Sequence, residues 1–235
     1  MKNRKWVYGA VVVFTCTTIN SQALRAQNNS PVPVFTHPTA ITNPYLPLGL
    51  LEQDILEGKE GGVPVRIERT RQGTRSFKVG EQMVEAIVVK DQVFAAGKLE
   101  EIALDYFAQS DDGTVYYLGE LVDNYKNGKV ANHDGSWLYG VQTQTLGVLM
   151  PAKPVVGDKF RSEDVPNITQ EDDQVISSSV TVNVAAGRFQ NCIKVKETLS
   201  DGKIEYKIYA PNVGVVQELP SNGKVDLISH KVTKR

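Results

Sequence analysis

The chain has little of several things that would have made its chemistry obvious. Of 235 residues two are cysteine, Cys16 and Cys192, and three are histidine. No CxxC and no zinc-type spacing occurs, so neither a disulfide framework nor a zinc module is expected. No phosphate-cradling glycine loop and no dinucleotide fingerprint is present, so no cofactor is expected. No apolar run reaches the roughly 20 residues that a spanning helix needs. Long helical periodicity is also missing. Charge is balanced, with 26 Lys and Arg against 27 Asp and Glu. Nucleic acid and anionic membranes call for a basic excess, and neither is expected as a partner.

What is present begins with an export signal. Lys2, Arg4 and Lys5 precede the apolar run Trp6 to Cys16, and Ser21-Gln22-Ala23 offers a small-x-small cleavage site. The expectation is a signal peptide over 1–23 and a mature chain from Leu24, exported to the periplasm or secreted. An acylated Cys16 is the alternative, with Thr15 a poor neighbour for it. Cleavage removes three basic side chains, which leaves 23 basic against 27 acidic residues and a net charge of −4. Cys192 then remains alone, in the strand-like run Asn191 to Val195, where a buried thiol is the ordinary role.

Residues 24–34 are polar and carry two prolines, which reads as a flexible leader. From about residue 35 to 235 short alternating runs dominate, as in Val63 to Thr70, Glu85 to Val89, Val175 to Val184 and Glu205 to Tyr209. They predict ten or eleven strands in an all-β, antiparallel, strongly curved half-barrel or sandwich. Leu48 to Leu56 fits either period. Four turns share one form: Asp112-Gly113, Asn127-Gly128, Asp201-Gly202 and Asn222-Gly223, each with an aliphatic residue two positions on. Asx-Gly is the favoured pair of tight hairpin loops, so adjacent strands should follow one another as a meander. LDYFAQSDDGTVYYLGE at 104–120 is the clearest hairpin.

A weaker copy of that hairpin follows about a hundred residues later. Gly97-Lys-Leu-Glu100 answers Gly202-Lys-Ile-Glu205, Tyr106-Phe107-Ala108 answers Ile208-Tyr209-Ala210, and Gly113-x-Val115 answers Gly214-x-Val216. This predicts one domain of two similar halves, 44–120 and 151–218, joined by a connection over 121–150. Each half alone would leave an apolar sheet face bare, so the two should share a core.

NPYLPL at 43–48, DYFAQSDDGTVYYLGE at 105–120, SWLYG at 136–140, MPAKPVVGDKF at 150–160 and EYKIYAPNVGVVQE at 205–218 resemble a family of uncharacterised exported bacterial all-β proteins. The YAPNVGVVQE run is also similar to small half-barrel domains of the lipoprotein-carrier type. The resemblance implies a fold and an export route, and it brings no catalytic residue with it.

The residues themselves suggest several sites. In Glu205 to Tyr209 the period of two puts Glu205, Lys207 and Tyr209 on one face. Under the repeat, Asp105 answers Lys207, and with Glu120 these groups would line one polar concavity. Carboxylates beside a lysine can perform acid/base work, with His133 as a further candidate. The plain alternative is ion pairing on a solvated face. Trp137, Tyr139, Tyr117 and Tyr209 can form a wall for a small hydrophobic molecule or a glycan. His37, His133 and His230 lie too far apart for a metal motif, and Ser136 beside His133-Asp134 does not form a nucleophile elbow. The acidic stretch Glu163 to Asp173 and Asp111-Asp112-Gly113 read as solvated loops without calcium-loop spacing. Three functions follow from these residues. A binding module should hold an apolar cavity with few charges, and it is the leading expectation. A polymer hydrolase or lyase should place two carboxylates about 5–10 Å apart in a cleft. A structural surface protein should have a filled interior and every charge in water.

Overall fold

The computed structural model describes residues 32–233, so the expected signal peptide over 1–23, Cys16 and residues 24–31 lie outside the described residues. A short 3-10 turn, Leu48–Leu50, leads into fourteen strands. They are β1 (Leu51–Glu60), β2 (Val63–Val79), β3 (Gln82–Ala95), β4 (Lys98–Gln109), β5 (Val115–Lys126), β6 (Lys129–Asn132) and β7 (Trp137–Leu138). β8 (Gly147–Met150), β9 (Lys159–Val165), β10 (Thr169–Val184), β11 (Gly187–Leu199), β12 (Ile204–Ala210), β13 (Gly214–Leu219) and β14 (Gly223–Val232) complete the set.

All the strand pairs are antiparallel and belong to one sheet, in the order β6-β5-β4-β3-β2-β1-β14-β13-β12-β11-β10-β9. The chain therefore starts in the middle of the sheet and works out to one edge. It then re-enters at the other edge and returns until β14 pairs with β1. β7 and β8 both pair with β5. The turn chemistry explains this path. All four Asx-Gly pairs fall at strand junctions: β4–β5, β5–β6, β11–β12 and β13–β14. Asn127 and Gly128 both take positive φ, +54° and +74°, as a two-residue hairpin loop requires.

The sheet curls round a single large apolar core with contributions from both arms, among them Leu56, Ile87, Val89, Phe107, Ile193, Val195, Tyr209 and Leu227. Full burial of each such aliphatic side chain contributes ~1.5–3 kcal/mol. Cys192 lies buried in the same core as a free thiol. A second, smaller cluster sits on the outer face of β2–β5, where Phe77, Val84, Tyr106 and Leu118 are covered by Phe35 and the 138–146 connection. The segments matched between the two proposed halves lie on β3–β5 and on β11–β13.

The barrel does not close, yet its two edges come close together. A Cβ at Gly147 on β8 would lie 1.8 Å from the carbonyl oxygen of Ser162 on β9. NPYLPL covers one end of the interior. Asn43 donates to the carbonyls of Gly113 and Pro151, the amide of Asn212 donates to Pro44, and Leu46 and Leu48 face inward.

Several local expectations change. Val63 to Thr70 and Arg75 to Val79 are one strand, β2, with a register shift between Arg71 and Thr74. The 121–150 connection contains the end of β5 together with β6, β7 and β8. Glu163 to Asp173 is no solvated loop. It is the end of β9, a tight turn and the start of β10, with Glu163, Glu171 and Asp173 buried and Asp164 and Asp172 turned outward. The alternation is that of a half-buried strand, with acids in the places where apolar residues are expected.

Candidate functional site: an acid-lined cavity inside the sheet

Ionisable side chains form a band round the inner face of the sheet, and strand register builds it. Asp54 on β1 is paired with Arg69 on β2, and Arg69 with Asp91 on β3. Asp105 on β4 is paired with Glu120 on β5. On the other arm Glu163 on β9 is paired with Glu171 on β10, Asp173 with Glu197 on β11, and Lys207 on β12 with Glu218 on β13. Within this band lies a cavity of about 110 Å³, lined by Arg69, Asp91, Glu101, Asp105, Glu120, Glu163, Glu171 and Lys207. Phe107, Tyr117, Tyr209, Ile67 and Leu149 supply its apolar wall.

A bulge decides what faces this cavity. Tyr106 is paired with Gly119 and Phe107 with Tyr117, so Leu118 is the extra residue on β5. Strict alternation would put Glu120 on the opposite face from Tyr117. The bulge returns both to the inside while Leu118 packs outside. Gly119 is at φ +131°, and a Cβ there would meet the carbonyl oxygen of Trp137 at 2.4 Å, so β7 can lie against β5 only over a glycine.

The electrostatics differ round the band. Arg69 Nη2 lies 2.7 Å from Asp91 and 3.6 Å from Glu218. Lys207 Nζ lies 3.1 Å from Glu197. Ser162 donates its hydroxyl to Glu171 at 3.0 Å and its amide to Asp173 at 3.2 Å. The ligand atoms of Glu171, Asp173 and Glu197 lie within 4.8 Å of one another, the tightest acidic triad among the described residues. Burial raises Glu197 to about 8 against the pull of Lys207, and burial with Glu171 as neighbour holds Asp173 well above the carboxylate range.

At the edge formed by β4, β5 and β9 the acids face one another. Tyr117 donates its hydroxyl to Asp105 at 2.6 Å. Burial first, then the charge of Asp91, pushes Asp105 up to about 8. Burial, with a smaller push from Asp91, takes Glu101 to about 7. Glu163 accepts from Trp137 Nε1 at 3.3 Å and from the Thr169 hydroxyl, and burial together with Glu171 still raises it to about 7. Glu120 is raised well above its ordinary range by burial, then by Glu163 and Asp105. No N–H or hydroxyl donor reaches Glu120 Oε1. The group that acts on Glu120 most is the carboxyl of Glu163, and a hydrogen bond between two carboxyls requires that one of them keep its proton.

The structure brings Asp105, Glu120, Lys207, Tyr117 and Tyr209 together on the cavity wall. Trp137 is buried behind that wall, edge-on to Tyr117 at 5.3 Å. Tyr139 packs against the outer cluster on the opposite face. Glu205 is paired with Glu197 at the margin of the band and is raised mainly by burial. His133 lies at the surface, 2.8 Å from Asp123, and His230 bonds Asp54 at 2.6 Å, so these two histidines serve different carboxylates. Asp111 and Asp112 cap their own surroundings, Asp111 through Thr36 and Asp112 through Ser110 and Thr114. Two expectations are corrected. The interior is not an apolar cavity with few charges, and Asp105 and Glu120 are not on a solvated face. The sequence does not single out Glu101 and Glu197, and it reads Glu163, Glu171 and Asp173 as parts of a solvated loop. Their alternation along strand-like runs is the one local signal that points inward.

No family model matches the chain, and no curated protein does. Two crystal structures are similar to it. One is an exported protein with a YmcC-like fold from Bacteroides fragilis, 17% identical, covering 77% of this chain and 99% of its own length, with a TM-score of 0.45. The other is a lipoprotein from Parabacteroides distasonis, 14% identical, covering 80% of this chain and 99% of its own length, with a TM-score of 0.43.

Proposed function

We propose that the chain is an exported binding protein that holds a small polar ligand inside its curled sheet. The export signal read in residues 1–23 supports the location, and among the described residues no helix is long and apolar enough to cross a membrane. The observation that carries the reading is the cavity with Glu120 at its wall. A fully buried carboxyl with an oxygen that no donor reaches costs ~1–3 kcal/mol or more, and a purely structural interior gains nothing by keeping it. The charged lining favours a hydroxylated or ionic ligand over a small hydrophobic one. Ala103, small and buried, lines the same cavity, so Ala103→Leu fills it. Nuclear magnetic resonance titration with glucose, propylammonium, propionate and benzene tests the reading. At least one of the three polar probes should give saturable shifts that Ala103→Leu removes, and benzene should give none. Saturation by none of the three, or by benzene alone, defeats it.

A second reading, hydrolysis with Asp105 as general acid, draws on one observation. Asp105 keeps its proton to about pH 8 beside Glu120 and Tyr117, as an acid catalyst must at neutral pH. Glycosidases, however, set their two carboxyls on opposite sides of the bond. Asp105 and Glu120 are cross-strand neighbours on one wall of a cavity too small for a polymer. Turnover of a polymeric glycan that Asp105→Asn abolishes would reverse this preference.

A further inference from the structure

We propose that the ligand of this cavity is a small organic cation, with its ammonium group bound at Glu120 beside Tyr117 and the carboxyls of Glu163 and Asp105 adding negative charge round it. This rests on reading the cavity as a ligand site, and it names the ligand's charge and size.

Six carboxyls line the cavity against two cationic side chains. Arg69 is engaged by Asp91 and Glu218, and Lys207 by Glu197. Round Glu120 the neighbours that act on it most are again acids: Glu163, Asp105 and Glu101. Glu120 lines the cavity, and its buried Oε1 has no N–H or hydroxyl partner. A donor that carries positive charge is the missing complement, and an ammonium group offers up to three N–H bonds.

The wall next to these acids is aromatic. Tyr117 stacks on Phe107 at 4.9 Å and meets Trp137 edge-on at 5.3 Å. Carboxylates combined with aromatic faces are the chemistry that recognises organic ammonium ions. A metal ion is less well served here. It needs convergent oxygens, and the converging triad is Glu171, Asp173 and Glu197, which Lys207 and Ser162 already engage. Size sets the rest. About 110 Å³ is less than the roughly 150 Å³ that admits benzene, so the ligand is a short amine or the amine end of a longer one.

The ammonium group replaces the proton that Glu120 and Glu163 share, so binding releases protons. The ionisable groups that line the cavity with the pair are Arg69 on β2, Asp91 on β3, Glu101 and Asp105 on β4, Tyr117 on β5, Glu171 on β10 and Lys207 and Tyr209 on β12. Carboxyls outnumber cations among them, and raising the pH makes the site more negative.

Calorimetric titration of the full chain tests this with propylammonium, 1-propanol, propionate and calcium chloride, at pH 6 and pH 8.5, in two buffers of different ionisation enthalpy. Propylammonium should bind about tenfold more tightly at pH 8.5 than at pH 6, with release of about one proton at pH 6 and little at pH 8.5. 1-Propanol and propionate should bind at least about tenfold more weakly than propylammonium, in line with the loss of a charge-assisted bond. Glu120→Gln should lower propylammonium affinity by about tenfold or more and abolish the proton release, with the melting temperature unchanged or higher. Glu163→Gln should give the same loss and serves if the first variant fails to fold. If 1-propanol or propionate binds as well as propylammonium, the cavity remains a ligand site and the cation proposal falls. Calcium binding that depends on Glu120 and excludes propylammonium also overturns it. If no probe binds at either pH, the cation proposal and the binding reading fall together.

Discussion

Two walls of one interior treat buried acid in opposite ways. Along β10 to β13, Glu197 faces Lys207 at 3.1 Å, and Glu171 and Asp173 take donors from Ser162. Where β4 and β5 approach β9, Glu120 faces Glu163, and Asp105 is held by the hydroxyl of Tyr117. The first wall answers its acids with a resident cation as well as protons, since Glu197 still stands at about 8 beside Lys207, and the second answers them with protons alone. A buried ion pair depends on both partners at any pH at which both are charged. A proton-sharing pair depends on the pH alone. The contrast teaches that residue type and burial are not enough to assign a role, because the neighbours decide whether a buried carboxyl is structural or available.

The comparison can be broken most sharply at Lys207. Lys207→Met leaves Glu197 without its cation, and unfolding by urea at pH 8 should show a loss of ~3–5 kcal/mol, shrinking by pH 5 as the acids take up protons. A loss below about 1 kcal/mol would mean that this wall too is held by protons alone.

The next largest effect is the pH dependence of the protein itself. Glu101 and Glu163 stand at about 7 and Asp105 and Glu197 at about 8, all above the values near 4 of an unfolded chain. The native state therefore binds more protons than the unfolded one between about pH 4.5 and 8. The stability from these groups is full below that window and is lost as the pH rises through it. Each group loses ~1.4 kcal/mol for every pH unit that separates its folded from its unfolded value. The melting temperature at pH 8.5 should fall below that at pH 5.5 by at least about 5 °C. A flat profile would mean that protons do not hold the second wall.

Glu120→Gln sharpens the same point on a smaller scale. An amide can donate to Glu163 without carrying charge, so the variant should gain ~1–2 kcal/mol at pH 8.5 and change little at pH 5.5. Equal effects at both pH values would show that no proton is shared. His133→Ala makes the smallest change. Its pair with Asp123 is 2.8 Å long, but the two side chains are 69% and 42% exposed, and stability should move by less than about 0.5 kcal/mol.

Much of the architecture is legible in the sequence. The hairpin from Leu104 to Glu120 and the four Asx-Gly turns lie where the residue types put them, because a tight turn is set by two or three neighbouring residues. Part of the site is legible as well, since Asp105, Glu120, Lys207, Tyr117 and Tyr209 do meet on one wall. Glu163 to Asp173 is not, because a period of two filled with acids has the composition of a loop. The facing of Glu120 is equally hidden, since a bulge at Leu118 and Gly119 reverses the alternation.

By itself the sequence determined an antiparallel meander of short strands, since alternation and turn geometry are properties of adjacent residues. Only the tertiary structure decided that β14 would pair with β1, that β5 would approach β9, and that a band of carboxyls would share the space between the arms. A charge is tolerated in an interior only through partners brought from distant parts of the chain, and no local pattern can name them.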